Sequence, residues 1–357
     1  MSSPVIANNL GVRGFFLHLS QNYENEYWEY EKKLGFGGFG FTALMKRKGS
    51  SGQPGQRMAV KFPVGTSVGR AGALKTEIDM LKKVNGASHI VSILASCEDI
   101  EEAAVSRHSG DNNMIFEGFV GLVGPAVALE YLEYGDILGL IGRVRKTERN
   151  VPNRVLWSLF YCLIRASVGM AYPPRQPIGS NAQILEELPS DHGPATESGM
   201  AHNDFNIRNI MLTVGDGPEH EIGVMAKLID FGLAMENRFS GSPRNIFDAA
   251  LVSNLVKFES IATFRTSSTF RGSPTRAGNL VGTGDPPFPL PWLDPELRDF
   301  LARCMYTNER LRPTLQEAVQ VAQNAVHSKT PMSFPMPDME TESAINAFVQ
   351  DLIFNVL

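Results

Sequence analysis

Cysteine is scarce, with three in 357 residues. Cys97, Cys162 and Cys304 lie far apart and follow no metal-ligand spacing, which excludes a disulfide scaffold and a local zinc motif. Each sits in an apolar segment and reads as a buried free thiol of a reducing compartment. An excess of positive charge is also missing: 33 Lys and Arg stand against 38 Asp and Glu, a net charge of −5. A nucleic-acid partner, which needs a basic face, is therefore not expected. No apolar run approaches the roughly 20 residues that span a bilayer. The opening MSSPVIANNLGVRG lacks a basic stretch followed by an apolar one, so no signal peptide is read. No internal repeat is visible. These absences leave a soluble intracellular protein, cytoplasmic or nuclear, as the expectation.

Hydrophobic content of 43% and charged content of 20% suit a globular chain of one large domain or two lobes. Residues 1–26 read as a leader. Residues 27–132 are strand-rich: YWEYEKKL, FTALMKR and QRMAVKF are separated by the turn chemistry of GFGGFG and KGSSGQPGQ. ALKTEIDMLKKV carries apolar residues at 74, 78, 81 and 84, one helix face. HIVSILAS and AVALEYL read as buried strands joined by a polar, mobile loop. Residues 133–328 are helical in character, led by RVLWSLFYCLIRASVGM with its wide apolar face. Within them, 173–198 hold five prolines without periodicity and read as a surface insertion. Residues 263–291, rich in Ser, Thr, Gly and Pro, read as a flexible loop. Thr314 and Glu317 form a capping box that opens another helix. In the tail, 329–357, an apolar stripe of Ile345, Phe348, Val349, Leu352, Ile353 and Val356 predicts a helix docked on the body.

Several short motifs carry chemistry. Gly35, Gly37 and Gly40 form G-x-G-x-x-G between two strands, where glycine lets backbone N–H groups approach a phosphate. A helix does not follow, which separates the pattern from a dinucleotide-binding turn. Lys61 lies inside an apolar strand, where it either pairs with a carboxylate, which Glu77 on the following helix can supply, or snorkels to solvent. His202, Asp204 and Asn209 form H-x-D-x-x-x-x-N. Asp230 ends an apolar strand just before Phe231-Gly232, a setting in which a carboxylate suits Mg²⁺, with Asn209 offering a neutral oxygen to the same ion.

The ordered set GFGGFG, AVK, Glu77, HND-x-x-x-x-N, DFG and RPT resembles the eukaryotic protein kinases over about residues 27–328. The resemblance implies an α+β, bilobal fold: a small, mostly antiparallel β N-lobe with one helix (27–132) and a larger helical C-lobe (133–328). It implies ATP and Mg²⁺ as cofactors and a protein or small-molecule hydroxyl as acceptor. Gly35, Gly37 and Gly40 would cover the phosphates, and Lys61 would hold two of them while paired with Glu77. Ala59, Leu132, Met211 and the backbone of Glu130 would contact the nucleotide behind the gatekeeper Leu129, with Asp136 facing the ribose. Asp204 would be the catalytic base, and Asn209 and Asp230 the metal ligands. Leu81, Ile93, His202 and Phe231 would stack as an apolar spine anchored by Asp248.

The chain departs from the family pattern at four points. Thr42 replaces a Val, Asn203 an Arg and Asn206 a Lys. The interval from Asp230 to Asp248 is short and has no APE triplet. The missing Arg and the short interval read as one feature, a site without a phosphorylation switch, so Ser240 and Ser242 are expected to be dispensable. Arg312 of the RPT element lacks its usual Glu; a substitute acid, Glu236 or Asp299, is expected, with Arg312→Ala costing on the order of 3 kcal/mol. Transfer from ATP to protein Ser or Thr is the expected activity. A kinase of a small or unusual acceptor and a silent nucleotide-binding module are the alternatives.

Overall fold

The computed structural model describes residues 17, 19–21, 23, 25–37, 40–49, 55–63, 68–105, 115–119, 122–147, 149–178, 183–191, 196–236, 241–253, 266–282 and 290–355. Period-two alternation builds its main sheet. Strand β3 (Arg57–Phe62) buries every second residue, so Met58, Val60 and Phe62 face one side and Ala59 and Lys61 the other. With β1 (Trp28–Gly37), β2 (Gly40–Arg47), β4 (Ile93–Cys97) and β5 (Ala126–Glu130) it forms an antiparallel sheet of order β1-β2-β3-β5-β4. Helix α1 (Val68–Val84) starts before the expected residue 73. Its Leu74, Ile78 and Leu81 share one core with Ile93, Val127 and Leu129, and Ala59 packs against that core. Glu77 is thereby held on the Lys61 side of the sheet.

The other face packs a second core of Trp28, Phe41, Met45, Met58, Val60 and Phe62. Phe116 and Phe119 close it, and Phe62 meets Phe119 edge-on with centroids 4.8 Å apart. The segment expected to be a polar loop therefore begins as helix α2 (Ile100–Val105) and ends as an apolar plug. Its middle, 106–114, lies outside the described residues, as does most of the leader 1–26.

Beyond the sheet the chain is mainly helical. Asp136 accepts the Gly139 N–H at 2.7 Å and so starts α3 (Ile137–Thr147). Helix α4 (Asn153–Ala171) runs through the core with 17 residues buried. By length and composition it alone among the described helices could cross a membrane, which the sequence reading did not anticipate; 94% of its apolar window is buried in the fold. Strands β6 (Met200–Ala201), β7 (Ile210–Val214), β8 (Val224–Leu228) and β9 (Met235–Glu236) form two small antiparallel pairs, β6 with β9 and β7 with β8. Helix α5 (Gly241–Ser253) follows.

Within the stretch expected to be a flexible loop, β10 (Ser268–Phe270) and β11 (Ser273–Thr275) form a hairpin followed by the single turn α6 (Gly278–Val281); 263–265 and 283–289 lie outside the described residues. Helix α7 (Pro295–Cys304) is capped by Asp294. Helix α8 (Leu315–Ser328) is capped by Thr314, which accepts the Glu317 N–H at 3.1 Å. The Glu317 carboxylate meanwhile pairs with Arg303 at 2.7 Å.

Segments 183–191 and 329–355 are tied into the body. Ile184 pairs with Ala87, and Glu186 is buried, so the proline-rich stretch is not wholly superficial. In the tail, α9 (Glu342–Val349) and the turn after it bury Ile345, Phe348, Val349, Leu352 and Ile353. Buried Glu340 accepts the backbone N–H groups of Asn153 at 2.7 Å and Arg154 at 3.0 Å, capping α4 from the tail. Val356 lies outside the described residues.

Arg312 is half-buried, and neither expected acid is its partner. Glu236 pairs with Lys83, and Asp299 with Arg271 and Arg298. Arg312 instead donates to the carbonyls of Tyr306 and Pro243, both at 2.9 Å, lies 4.6 Å over the Phe247 ring, and has Glu309 at 3.5 Å. A guanidinium distributes its charge over five donors, so carbonyls and a ring share it with the exposed Glu309. Arg312→Ala is expected to cost about 2–3 kcal/mol, the loss of two charge-assisted hydrogen bonds without a stranded buried carboxylate. A urea titration giving a loss under about 0.5 kcal/mol would show the side chain to be dispensable.

Candidate functional site

The hairpin of β1 and β2 ends at Gly37 and Gly40, which pair across it. Gly40 has φ +147°, and a Cβ there would meet the Phe62 carbonyl oxygen at 2.0 Å, so only glycine lets β2 pass the end of β3. Gly35 differs: a Cβ there would touch nothing within 4 Å, and the packing does not require a glycine.

Beneath this hairpin lies a triad of charges. Lys61 Nζ donates to Glu77 at 2.8 and 2.6 Å and to Asp230 Oδ1 at 3.2 Å. Burial alone would lower the Lys61 pKa, but Glu77 and Asp230 outweigh it and hold the ammonium charged. Burial pushes Glu77 up from the ordinary carboxylate range, and Lys61 opposes this. The triad joins β3, α1 and the end of β8.

Asp204 stands on the adjoining loop in a cage of amides. Asn206 Nδ2 donates to its Oδ1 at 2.8 Å and Asn209 Nδ2 to its Oδ2 at 2.9 Å. Asn209 Nδ2 also donates to the Asp204 carbonyl at 2.9 Å, which leaves Asn209 Oδ1 available to a cation. The Ile229 N–H donates to the Asn209 carbonyl at 2.9 Å, so the β7–β8 hairpin sets Asn209 beside the segment that carries Asp230. An amide oxygen and a carboxylate are the hard donors that Mg²⁺ accepts.

His202 is fully buried and supports both loops. Its Nδ1 accepts the Asp204 N–H at 3.3 Å, so Nε2–H donates to the Ile229 carbonyl at 3.1 Å. Its ring meets Phe231 edge-on, with centroids 4.7 Å apart. Leu81 and Ile93 are buried in the same core as Phe231. Helix α5 reaches this assembly through a residue that sequence reasoning missed. Asn245 accepts the His202 N–H at 3.2 Å and donates to the Met200 carbonyl at 2.8 Å, while Asp248, one turn on, pairs with Arg244 at 3.0 Å. An Asn beside an Asp on one helix gives no sequence signal for which of them turns inward.

Burial pushes the His202 pKa down from 6.5 to about 4. The folded value lies below the unfolded one, so stability is complete above about pH 6.5 and drains away as pH falls toward 4. The ring is expected to account for about 2 kcal/mol of stability lost between pH 7 and pH 5. Urea midpoints at both pH values for the wild type and His202→Phe check this; equal pH dependence in the two would rule it out.

Asn203 and Asp230 are non-glycine residues at positive φ, +61° and +64°, a region where Asn and Asp are enriched. Asn203 Nδ2 donates to the Leu233 carbonyl at 3.1 Å, pinning the segment after Phe231-Gly232. The Asn at 203 therefore has a positive role, a tolerated backbone angle and a short cross-link. Ser242 is buried and donates to Glu197 at 2.7 Å, while Ser240 lies outside the described residues.

The remaining expected contacts lie on the sheet, on the segment after β5 and on β7. Ala59 pairs with Leu129, and Asp136 bridges to Met211. Leu132 is buried. The Glu130 N–H donates to the Ser92 carbonyl at 3.1 Å, and its carboxylate pairs with Lys227 at 2.7 Å. Asp136 Oδ1 is engaged by the cap of α3, so a ligand hydroxyl would have to share that carboxylate. Compared with protein-family models and with curated proteins, the chain gives no match.

Proposed function

We propose that this chain is an ATP-dependent phosphotransferase with a bilobal protein-kinase-like fold. The observation that carries the reading is the joining of Lys61, Glu77 and Asp230 beneath a glycine hairpin, next to a loop that presents Asp204 and Asn209. A pre-formed cation beside an oxygen-donor pair is what a triphosphate with its metal requires. Gly35, free of any packing need, suits close approach of phosphate oxygens. Mg²⁺ held by Asn209 and Asp230 would neutralise charge on the transferring phosphate.

Lys61 would grip the phosphates, and Glu77 would keep it in place. Asp204 would accept the proton of the acceptor hydroxyl as its oxygen bonds to the γ-phosphorus and the bond to the β-phosphate oxygen breaks, releasing ADP. The amides of Asn206 and Asn209 hold the carboxylate for this role. The acceptor proposed is a protein Ser or Thr. One observation favours a small-molecule acceptor as the second reading: α5 begins at Gly241, which leaves little chain after Asp230 for a peptide shelf.

Incubation with radiolabelled ATP, Mg²⁺ and a panel of protein and small hydroxyl acceptors tests transfer and separates the two readings. Binding has its own test. Mg-ATP at 100 times Kd is expected to stabilise the fold by about 2.7 kcal/mol, seen as a raised Tm that requires Mg²⁺ and is lost in Asp230→Ala. No shift at millimolar Mg-ATP would end the nucleotide reading.

A further inference from the structure

Behind this site three separated residues converge. His89 lies between α1 and β4, Cys162 in the middle of α4, and His220 in the β7–β8 connection. All three are buried, and their ligand atoms lie within 4.8 Å of one another. Cys162 Sγ is 4.0 Å from His220 Nδ1. Two ligands of a tetrahedral zinc ion, at Zn–S of about 2.3 Å and Zn–N of about 2.0 Å, stand about 3.5 Å apart. Small side-chain shifts would close the cluster on an ion. We propose that His89, Cys162 and His220 form a buried structural site for a borderline-soft divalent cation of the Zn²⁺ class.

Two further observations point to a ligand. The Glu186 carboxylate binds His89 Nδ1 at 2.7 Å, the carboxylate–imidazole arrangement that orients metal-bound histidines and fixes the other nitrogen as the donor. That other nitrogen, His89 Nε2, is buried and has no hydrogen-bond partner. An orphaned polar atom of this kind costs about 1–3 kcal/mol, which coordination would remove. A water would complete the four ligands of such a site.

One thiolate and two imidazoles are the donor set of zinc rather than of magnesium or calcium. The thiolate is the form of Cys162 that would ligate. Proton balance is simple. Coordination releases one proton to solvent, either the Cys162 thiol proton or one on His89 Nε2.

The ion would clamp α4 to two connections that flank β8. The His89 carbonyl accepts the Leu228 N–H at 2.9 Å, two residues before Asp230. The site is thus a brace under the strand that delivers Asp230, separate from the Mg²⁺ ligands.

Elemental analysis of the full chain, then Zn²⁺ and Co²⁺ titration of chelator-treated protein, tests the proposal. The expected result is about one Zn²⁺ per chain and, with Co²⁺, a thiolate-to-metal charge-transfer band. Cys162→Ser and His220→Gln should weaken binding by on the order of 100-fold or more, and Glu186→Gln by about 10–100-fold. Circular dichroism checks each fold. If Cys162→Ser does not fold, the wild-type Co²⁺ band and Glu186→Gln decide. Folded wild type that takes up neither metal at micromolar concentration, or a Cys162→Ser chain that binds as tightly as wild type, would overturn the proposal. Asp230→Ala should keep full Zn²⁺ stoichiometry, so failure of this site and failure of the nucleotide reading are distinguishable.

Discussion

An Asp204→Asn chain is expected to lose phosphoryl transfer by about 10²–10⁴-fold, the worth of a positioned general base. Its Mg-ATP affinity should stay within about twofold of wild type, because Asp204 is not among the groups proposed to hold the phosphates. The substitution preserves shape but turns one acceptor into a donor. Both Asp204 oxygens now receive amide N–H groups from Asn206 and Asn209, so one of those bonds must be lost or an amide must flip. The cost is about 1 kcal/mol of stability, too little to unfold the chain. Turnover and nucleotide affinity measured side by side decide the role. If both fall together, Asp204 organises the loop and the chemistry lies elsewhere. If turnover is unchanged, the phosphotransferase reading loses its base.

The largest expected loss of stability comes from a residue outside the proposed catalytic set. Arg165, on α4, donates to Glu219, to the Glu186 carbonyl and to Tyr161 Oη, and Tyr161 Oη donates to Glu219 at 2.8 Å. Arg165 and Glu219 are both buried. Arg165→Ala strands the Glu219 carboxylate in a low-dielectric interior, and a loss of about 3–5 kcal/mol is expected. Combining Arg165→Leu with Glu219→Leu should cost much less than Arg165→Ala, because no charge is left unpaired. Urea titrations of the three chains measure both numbers. A double variant as unstable as Arg165→Ala would mean that packing, not charge, sets the cost. Arg165→Ala within about 0.5 kcal/mol of wild type would mean that Glu219 finds other compensation.

The sequence by itself determined the elements whose cause is local. Alternation in QRMAVKF marks β3 and places Lys61 and Val60 on opposite faces. Thr314 announces the start of α8, and glycines mark the hairpin at Gly37 and Gly40. The pairing of Lys61 with Glu77 was also legible, because a cation in an apolar strand needs a carboxylate and the next helix supplies one.

Only the tertiary structure decided contacts made between distant segments, where composition carries no address. Asn245 rather than Asp248 reaches the His202 backbone, because the rotation of α5 against β6 is set by packing of its apolar face. Arg312 takes two carbonyls, a ring and the neighbouring Glu309 in place of Glu236 or Asp299, because those two acids were already paired. Cys162 showed no metal spacing along the chain, yet it meets His220 across 58 residues and His89 beside it. Spacing reveals ligands that share one turn or one helix face. Ligands brought together by a helix crossing two loops become neighbours only once the core has packed.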